Sequence, residues 1–181
     1  MQNIITLELP EIEDEIKVFI NTIPAPITLV IIGGNHISIA LSRLAKILDY
    51  KIILIDPRRV FGNKNRFPEV DELLPVWPQE AFDKIDLSES TAVVTLTHDP
   101  KIDDFALATA VSGKPFYIGA LGSRKTHAKR LSRLKASGVA DEQLNKIKGP
   151  IGLDIGAISP EEIALAIMAE ITAAYYNKPI K

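Results

Sequence analysis

The sequence predicts an α/β protein built on a doubly wound parallel sheet with helices on both faces. Three observations carry this expectation. From residue 27 onward, short apolar runs rich in Ile, Val and Leu alternate with segments of helical periodicity. The strand-like runs are continuously apolar rather than alternating, as strands covered on both sides must be. Several helical segments carry their own start and stop residues. Strands alternating with helices make βαβ units, and right-handed crossovers assemble these into a Rossmann-like sheet.

The elements follow in order. Ile12, Ile16, Phe19 and Ile20 fall on one helical face, so residues 10–22 are expected to form a short helix. An acidic run over residues 8–17 (Glu8, Glu11, Glu13, Asp14, Glu15) leads into it, and residues 1–24 are expected to be an N-terminal extension to a domain over 25–181. Residues 27–32 read as a buried strand ending at Gly33-Gly34. Ile37, Leu41, Leu44 and Leu48 give the stripe of a helix, and residues 51–56 give a second strand. Residues 57–78, with five prolines and glycines, read as irregular. Residues 91–97 are a third strand. Asp99-Pro100 then starts a helix, with an Asp N-cap and Pro at the first helical position. Residues 115–119 form another strand, and Ser123 to Ala136 a helix stopped by Gly138. A short helix is expected within 141–148 and a last strand over 151–156. A helix capped by Ser159-Pro160-Glu161-Glu162 closes the chain.

Composition narrows the function classes. The 181 residues are 46% hydrophobic and 24% charged, with a net charge of −2 and no cysteine. Dedicated nucleic-acid binding is not favoured at that charge. Without cysteine the chain has no thiol nucleophile and no residue to carry a persulfide. No apolar run is long enough for a membrane helix, and no secretory leader is visible, so a cytoplasmic protein with no membrane partner is expected. Residues 122–148 hold eight bases against Asp141 and Glu142. Such a run suits either an anion-facing segment or a solvated helix.

The unusual residues fall at predicted strand ends. Gly33-Gly34-Asn35-His36-Ile37-Ser38 is a degraded G-x-G-x-x-G, with Asp56 placed 23 residues after Gly33 as a ribose-binding acid would be. Asn35 stands where the backbone would approach a pyrophosphate. Arg58, after Asp56, suits a 2′-phosphate, a pterin or nucleotide phosphate, or a plain surface turn. Thr97 and His98 close the third strand. His98 suits a ligand hydrogen bond, acid–base work or a structural role. The three histidines show no metal-ligand spacing, and no catalytic residue is assigned. Gly119 to Thr126 resembles a phosphate-binding loop but has Arg124 where a Walker motif requires Gly. Gly122, Ser123, Arg124 and Lys125 still lead a helix N-terminus suited to an anion, since cations in a first turn otherwise oppose the helix dipole. Asp154 lies between Gly152 and Gly156, next to the last helix. In an open parallel sheet all these ends share one rim, which is the expected ligand edge.

Taken together, GGNH (33–36), DPR (56–58), RFPE (66–69), THDPKID (97–103), YIGALGSRKTH (117–127) and GLDIGAISPEEIALAI (152–167) resemble the C-terminal Rossmann domain of the xanthine dehydrogenase accessory factor family (XdhC/CoxI). The resemblance covers about residues 27–177. It implies an accessory protein that binds molybdenum cofactor and hands it to a xanthine dehydrogenase-type molybdenum hydroxylase, alongside a sulfur-donating enzyme. The family has Gly where Asn35 stands, and also carries a separate N-terminal domain, which is not expected within these 181 residues. On this reading the ligand is molybdenum cofactor (molybdopterin) or NAD(P), held by the residues at the rim. The alternatives are an NAD(P)-dependent oxidoreductase and a non-catalytic nucleotide-binding scaffold. A homodimer is expected from the general frequency of such assemblies.

Overall fold

The computed structural model describes residues 26–179 and two short strands, β1 (Asn3–Ile5) and β2 (Val18–Ile20). These two pair antiparallel, with Asn3 opposite Ile20. The helix expected over 10–22 therefore does not include 18–20, where the backbone hydrogen-bonds to a neighbouring strand instead of to itself. The rest of that expected helix lies outside the described residues.

The main sheet has six parallel strands: β3 (Thr28–Ile32), β4 (Lys51–Ile55), β5 (Glu72–Leu74), β6 (Thr91–Thr95), β7 (Tyr117–Ala120) and β8 (Ile147–Lys148). Their spatial order is β5-β4-β3-β6-β7-β8. The order reverses between β3 and β6, the central pair, so the chain leaves these two strands in opposite directions and opens a crevice above them. Thr28 to Ile32 are in register with Lys51 to Ile55 on one side and Thr91 to Thr95 on the other.

Helices α1 (His36–Ile47) and α6 (Pro160–Tyr175) cover one face. Helices α2 (Pro78–Phe82), α3 (Pro100–Ser112), α4 (Arg124–Ala136) and α5 (Asp141–Leu144) cover the other. Successive strand residues point to opposite faces. Leu29, Ile31, Ile52, Leu54, Ala92 and Val94 pack toward Leu41, Ile167 and Ile171. Val30, Ile32, Ile53, Ile55 and Val93 pack toward Ile102, Leu107 and Leu134. Each such buried Leu or Ile contributes roughly 1.5–3 kcal/mol, so this double-sided burial outweighs every cap and ion pair described below.

The predicted caps are in place. Asp99 accepts from the Lys101 N–H, and Ser159 and Glu162 form a reciprocal capping box. Three assignments differ. Residues 57–78 contain β5, which reads weakly because Glu72-Leu73-Leu74 lies at the sheet edge and is only partly buried. In the stretch 141–148 the helix stops at Leu144, and Ile147–Lys148 is the last strand. The strand expected over 151–156 is absent. Ile151 N–H still donates to the Ala120 carbonyl of β7, but the next donors go elsewhere: Gly152 N–H to the Glu170 carboxylate and Leu153 N–H to the Ala166 carbonyl of α6. Asp154 and Gly156 therefore sit on a loop rather than at a strand end.

Candidate ligand cleft at the carboxyl edge of the sheet

The turns at 33–36 and 121–124 both leave carboxyl ends of strands, β3 and β7, with β6 between them. Both therefore occupy one rim, separated by two strand spacings, about 10 Å. They do different work.

The turn after β3 is bound into the protein. Gly33 has φ +105°, and a Cβ there would lie 2.6 Å from Thr97 Cγ2, so only glycine fits beside β6. Asn35 caps α1 by accepting from the Ser38 N–H at 2.9 Å. Its Nδ2 also donates to the Leu96 carbonyl at 2.7 Å, spanning the crevice at the switch point. Asp56 is 1% exposed. It accepts from the Gly34 N–H at 2.8 Å and from Arg58 through the backbone N–H, Nε and Nη2, each at 2.9 Å. Burial pushes its carboxyl up. The Arg58 guanidinium, with the two N–H donors, more than offsets this and holds the carboxyl below its ordinary range. Arg58 in turn lies over the Phe61 ring at 4.4 Å. Arg66 donates to the carbonyls of Gly34 and Phe61, which folds the 58–66 segment onto the turn. Thr97 Oγ1 donates to Asp103 Oδ1 at 2.7 Å and accepts from the Asp99 N–H at 2.9 Å. His36 and His98 are exposed, His98 with φ +64°. Among the described residues no group of three or more His, Cys, Asp or Glu could hold a metal ion.

The open space lies on the far side of β6. A cleft of about 520 Å³ is lined by Leu121, Gly122 and Arg124 from the turn into α4, by residues 150–157, and by Ile163 and Ala166 of α6. This volume is within the range of small-molecule sites. The structure thus brings Gly122, Arg124, Asp154 and Gly156 together and leaves the 33–36 turn, Asp56, Arg58, Thr97 and His98 outside this cleft. Ser123 caps α4 by accepting from the Thr126 N–H at 3.1 Å. The N–H groups of Arg124 and Lys125 then open the helix without intrahelical partners. Both side chains are exposed, and the first turn of α4 holds no acid.

Three positioning residues escaped the sequence reading. Glu170, on α6, accepts from the buried Tyr117 hydroxyl at 2.5 Å and from the Gly152 N–H at 2.8 Å, which fixes the far wall of the cleft. Burial and the neighbouring Glu170 push the Tyr117 phenol well up, so it remains a donor. Asp103 and Arg130 are 1% and 2% exposed and face each other across α3 and α4. In sequence, Asp103 is indistinguishable from an acid favouring a helix N-terminus. Arg130 is hidden in a run of surface bases, of which Arg133 and Lys135 pair with Asp104 and Asp141.

A family model described as the XdhC Rossmann domain matches residues 29–171. A probable xanthine dehydrogenase subunit of Bacillus subtilis (strain 168) is 30% identical over 166 residues, covering 92% of this chain and 48% of that protein. The molybdenum cofactor insertion chaperone PaoD of Escherichia coli (strain K12) is 36% identical over 101 residues, covering 56% of this chain and 31% of that protein. The crystal structure of a xanthine dehydrogenase from Bacillus halodurans superposes with a TM-score of 0.73 at 26% identity, covering 85% of this chain and 44% of that one. The chain thus spans less than half the length of these relatives. Among its described residues no helix is long and apolar enough to cross a membrane.

Proposed function

Because the chain belongs to the XdhC Rossmann-domain family, we propose that it is an accessory factor of molybdenum-cofactor maturation that binds an anionic, phosphate-bearing cofactor in the 121–124/150–157 cleft. The observation that carries this reading is the pairing of an open helix N-terminus with Arg124 in a cleft that also holds an acid, Asp154. A phosphate suits the first, through main-chain N–H groups and the helix dipole. A heterocycle bearing N–H donors, such as a pterin, suits the second. Gly122, Arg124 and Lys125 hold the phosphate, with Ser123 shaping the helix start. Asp154 and Gly156 line the opposite wall, and His36 and His98 border the rim. The receiving partner is a molybdenum hydroxylase of the xanthine dehydrogenase type. This chain contains no cysteine, so any sulfuration of the cofactor draws on a separate sulfur-donating enzyme.

The dinucleotide alternative finds less support. Asp56, the ribose-binding candidate, has its carboxylate occupied by Arg58 and Gly34. The second turn position is Asn35, whose side chain is spent on Ser38 and Leu96.

Native mass spectrometry of the protein incubated with molybdenum cofactor released from a molybdoenzyme tests the proposal. The wild type is expected to carry the cofactor, and the R124A/K125A variant to lose it. Equal retention by the two proteins, or none by the wild type, overturns the assignment. Titration calorimetry with NAD(H) and NADP(H) is expected to give no heat.

A further inference from the structure

Arg130 is an arginine with unused donors in the protein interior. A guanidinium carries five N–H groups and stays protonated in proteins. Here Nη2 donates to the Leu121 carbonyl at 2.8 Å. Nε and Nη1 are buried and have no partner, and neither has the Asp103 Oδ2 atom. Asp103 stands 3.8 Å from Nη2, close enough for charge attraction but too far for a hydrogen bond. Each unmet buried donor costs on the order of 1–3 kcal/mol, more where the group is charged. Replacing a mere structural arginine by an apolar residue would avoid that cost.

The orientation of the guanidinium is informative. Nη1 is the nitrogen that approaches Gly122, a residue lining the cleft. A Cβ on Gly122 would sit 3.8 Å from Nη1 and 3.1 Å from Thr126 Cγ2. Gly122 has φ +144°, so the backbone itself disfavours any side chain there, and no Cβ at this position stands between the turn and the buried Nη1. Immediately after it come the two unpartnered N–H groups at the start of α4, whose dipole favours an anion at the same end.

We infer that Arg130 is the buried cation of an oxyanion subsite formed by Gly122 and the first turn of α4, where it binds a phosphate group through Nη1. This rests on the reading of the cleft as an anion site and adds its specificity element. Arg124 and Lys125 are exposed cations that any anion can approach. Arg130 is 2% exposed, so it offers a cation held at a fixed position, unlike the two exposed side chains. Asp103 then keeps the guanidinium in place from α3, and Thr97 holds Asp103 through Oδ1.

Inorganic phosphate and pyrophosphate serve as probes, titrated into the ¹⁵N-labelled full chain. The Arg130 Nε–H resonance, assigned by its loss in Arg130→Lys, is followed together with the Arg124 and Lys125 amides. The expected result is that all three move together and saturate together. Arg130→Lys, which keeps a buried cation but not the fork, is expected to remain folded and to bind roughly 10-fold or more weaker, the effect of losing one charge-assisted hydrogen bond. Tighter binding of pyrophosphate would mark a nucleotide-type diphosphate as the source of the group. Equal binding would mark a terminal phosphomonoester, and both outcomes support the subsite. Movement of the Arg124 and Lys125 amides with a static Arg130 resonance and undiminished binding by Arg130→Lys would overturn the role of Arg130 while leaving the cleft reading intact. No binding of either probe would overturn both.

Discussion

Asn35 gives the sharpest test of how the switch point is built. Its Oδ1 caps α1 at Ser38, and its Nδ2 donates to the Leu96 carbonyl at 2.7 Å. Leu96 is fully buried. Asn35→Ala removes an N-cap, costing about 1 kcal/mol. It also leaves a buried carbonyl without this donor, costing about 1 kcal/mol more. The sum of about 2 kcal/mol corresponds to a melting temperature lower by roughly 4–8 °C in a domain of this size. Asn35→Ser keeps a capping oxygen but cannot reach Leu96, so it should lose about half as much. Differential scanning calorimetry of the two variants separates the terms. A shift within about 1 °C for the alanine variant, or identical shifts for both, would refute the bridge across the crevice. Asn35→Gly restores a G-x-G turn, yet is expected to gain no affinity for NAD(P), because Asp56 remains bound to Arg58.

Two further outcomes are expected. Asp56 has a folded-state pKa below its ordinary value, so its contribution to stability is complete above the unfolded carboxylate value near pH 4 and is lost as pH falls through the depressed folded value. Melting temperature against pH should therefore drop more steeply on the acid side in the wild type than in Asp56→Asn, and parallel curves would contradict this. Glu170→Ala strands the Tyr117 hydroxyl and the Gly152 N–H and should cost about 2–3 kcal/mol. The same change in a Tyr117→Phe background should cost less, and strict additivity in denaturant titrations would show that the two groups are not coupled.

Much of the fold is legible in the chain because burial on both faces forces strands to be continuously apolar, and residues 27–32, 51–56 and 91–97 could not be read otherwise. Asp99-Pro100 and Ser159 to Glu162 mark helix starts by local hydrogen bonding alone. The elements that did not read clearly are those set by distant partners. Glu72–Leu74 is a strand only because β4 offers it an edge, and residues 151–156 are not a strand because α6, through Glu170 and the Ala166 carbonyl, takes the Gly152 and Leu153 donors. The site divides the same way. Glycines, Arg124 and Asp154 were visible as residues out of place at element ends. Their separation into a hydrogen-bonded switch-point cluster and an open cleft was not visible. The choice of Arg58 as the partner of Asp56 and the burial of Arg130 beneath Gly122 also depend on which elements pack together. Composition and periodicity, being local, determined the strands, the caps and which residues stand at their carboxyl ends. Pairings between groups tens of residues apart are fixed only when the sheet brings them within hydrogen-bonding distance, and those pairings decided which rim residues remain available to bind anything.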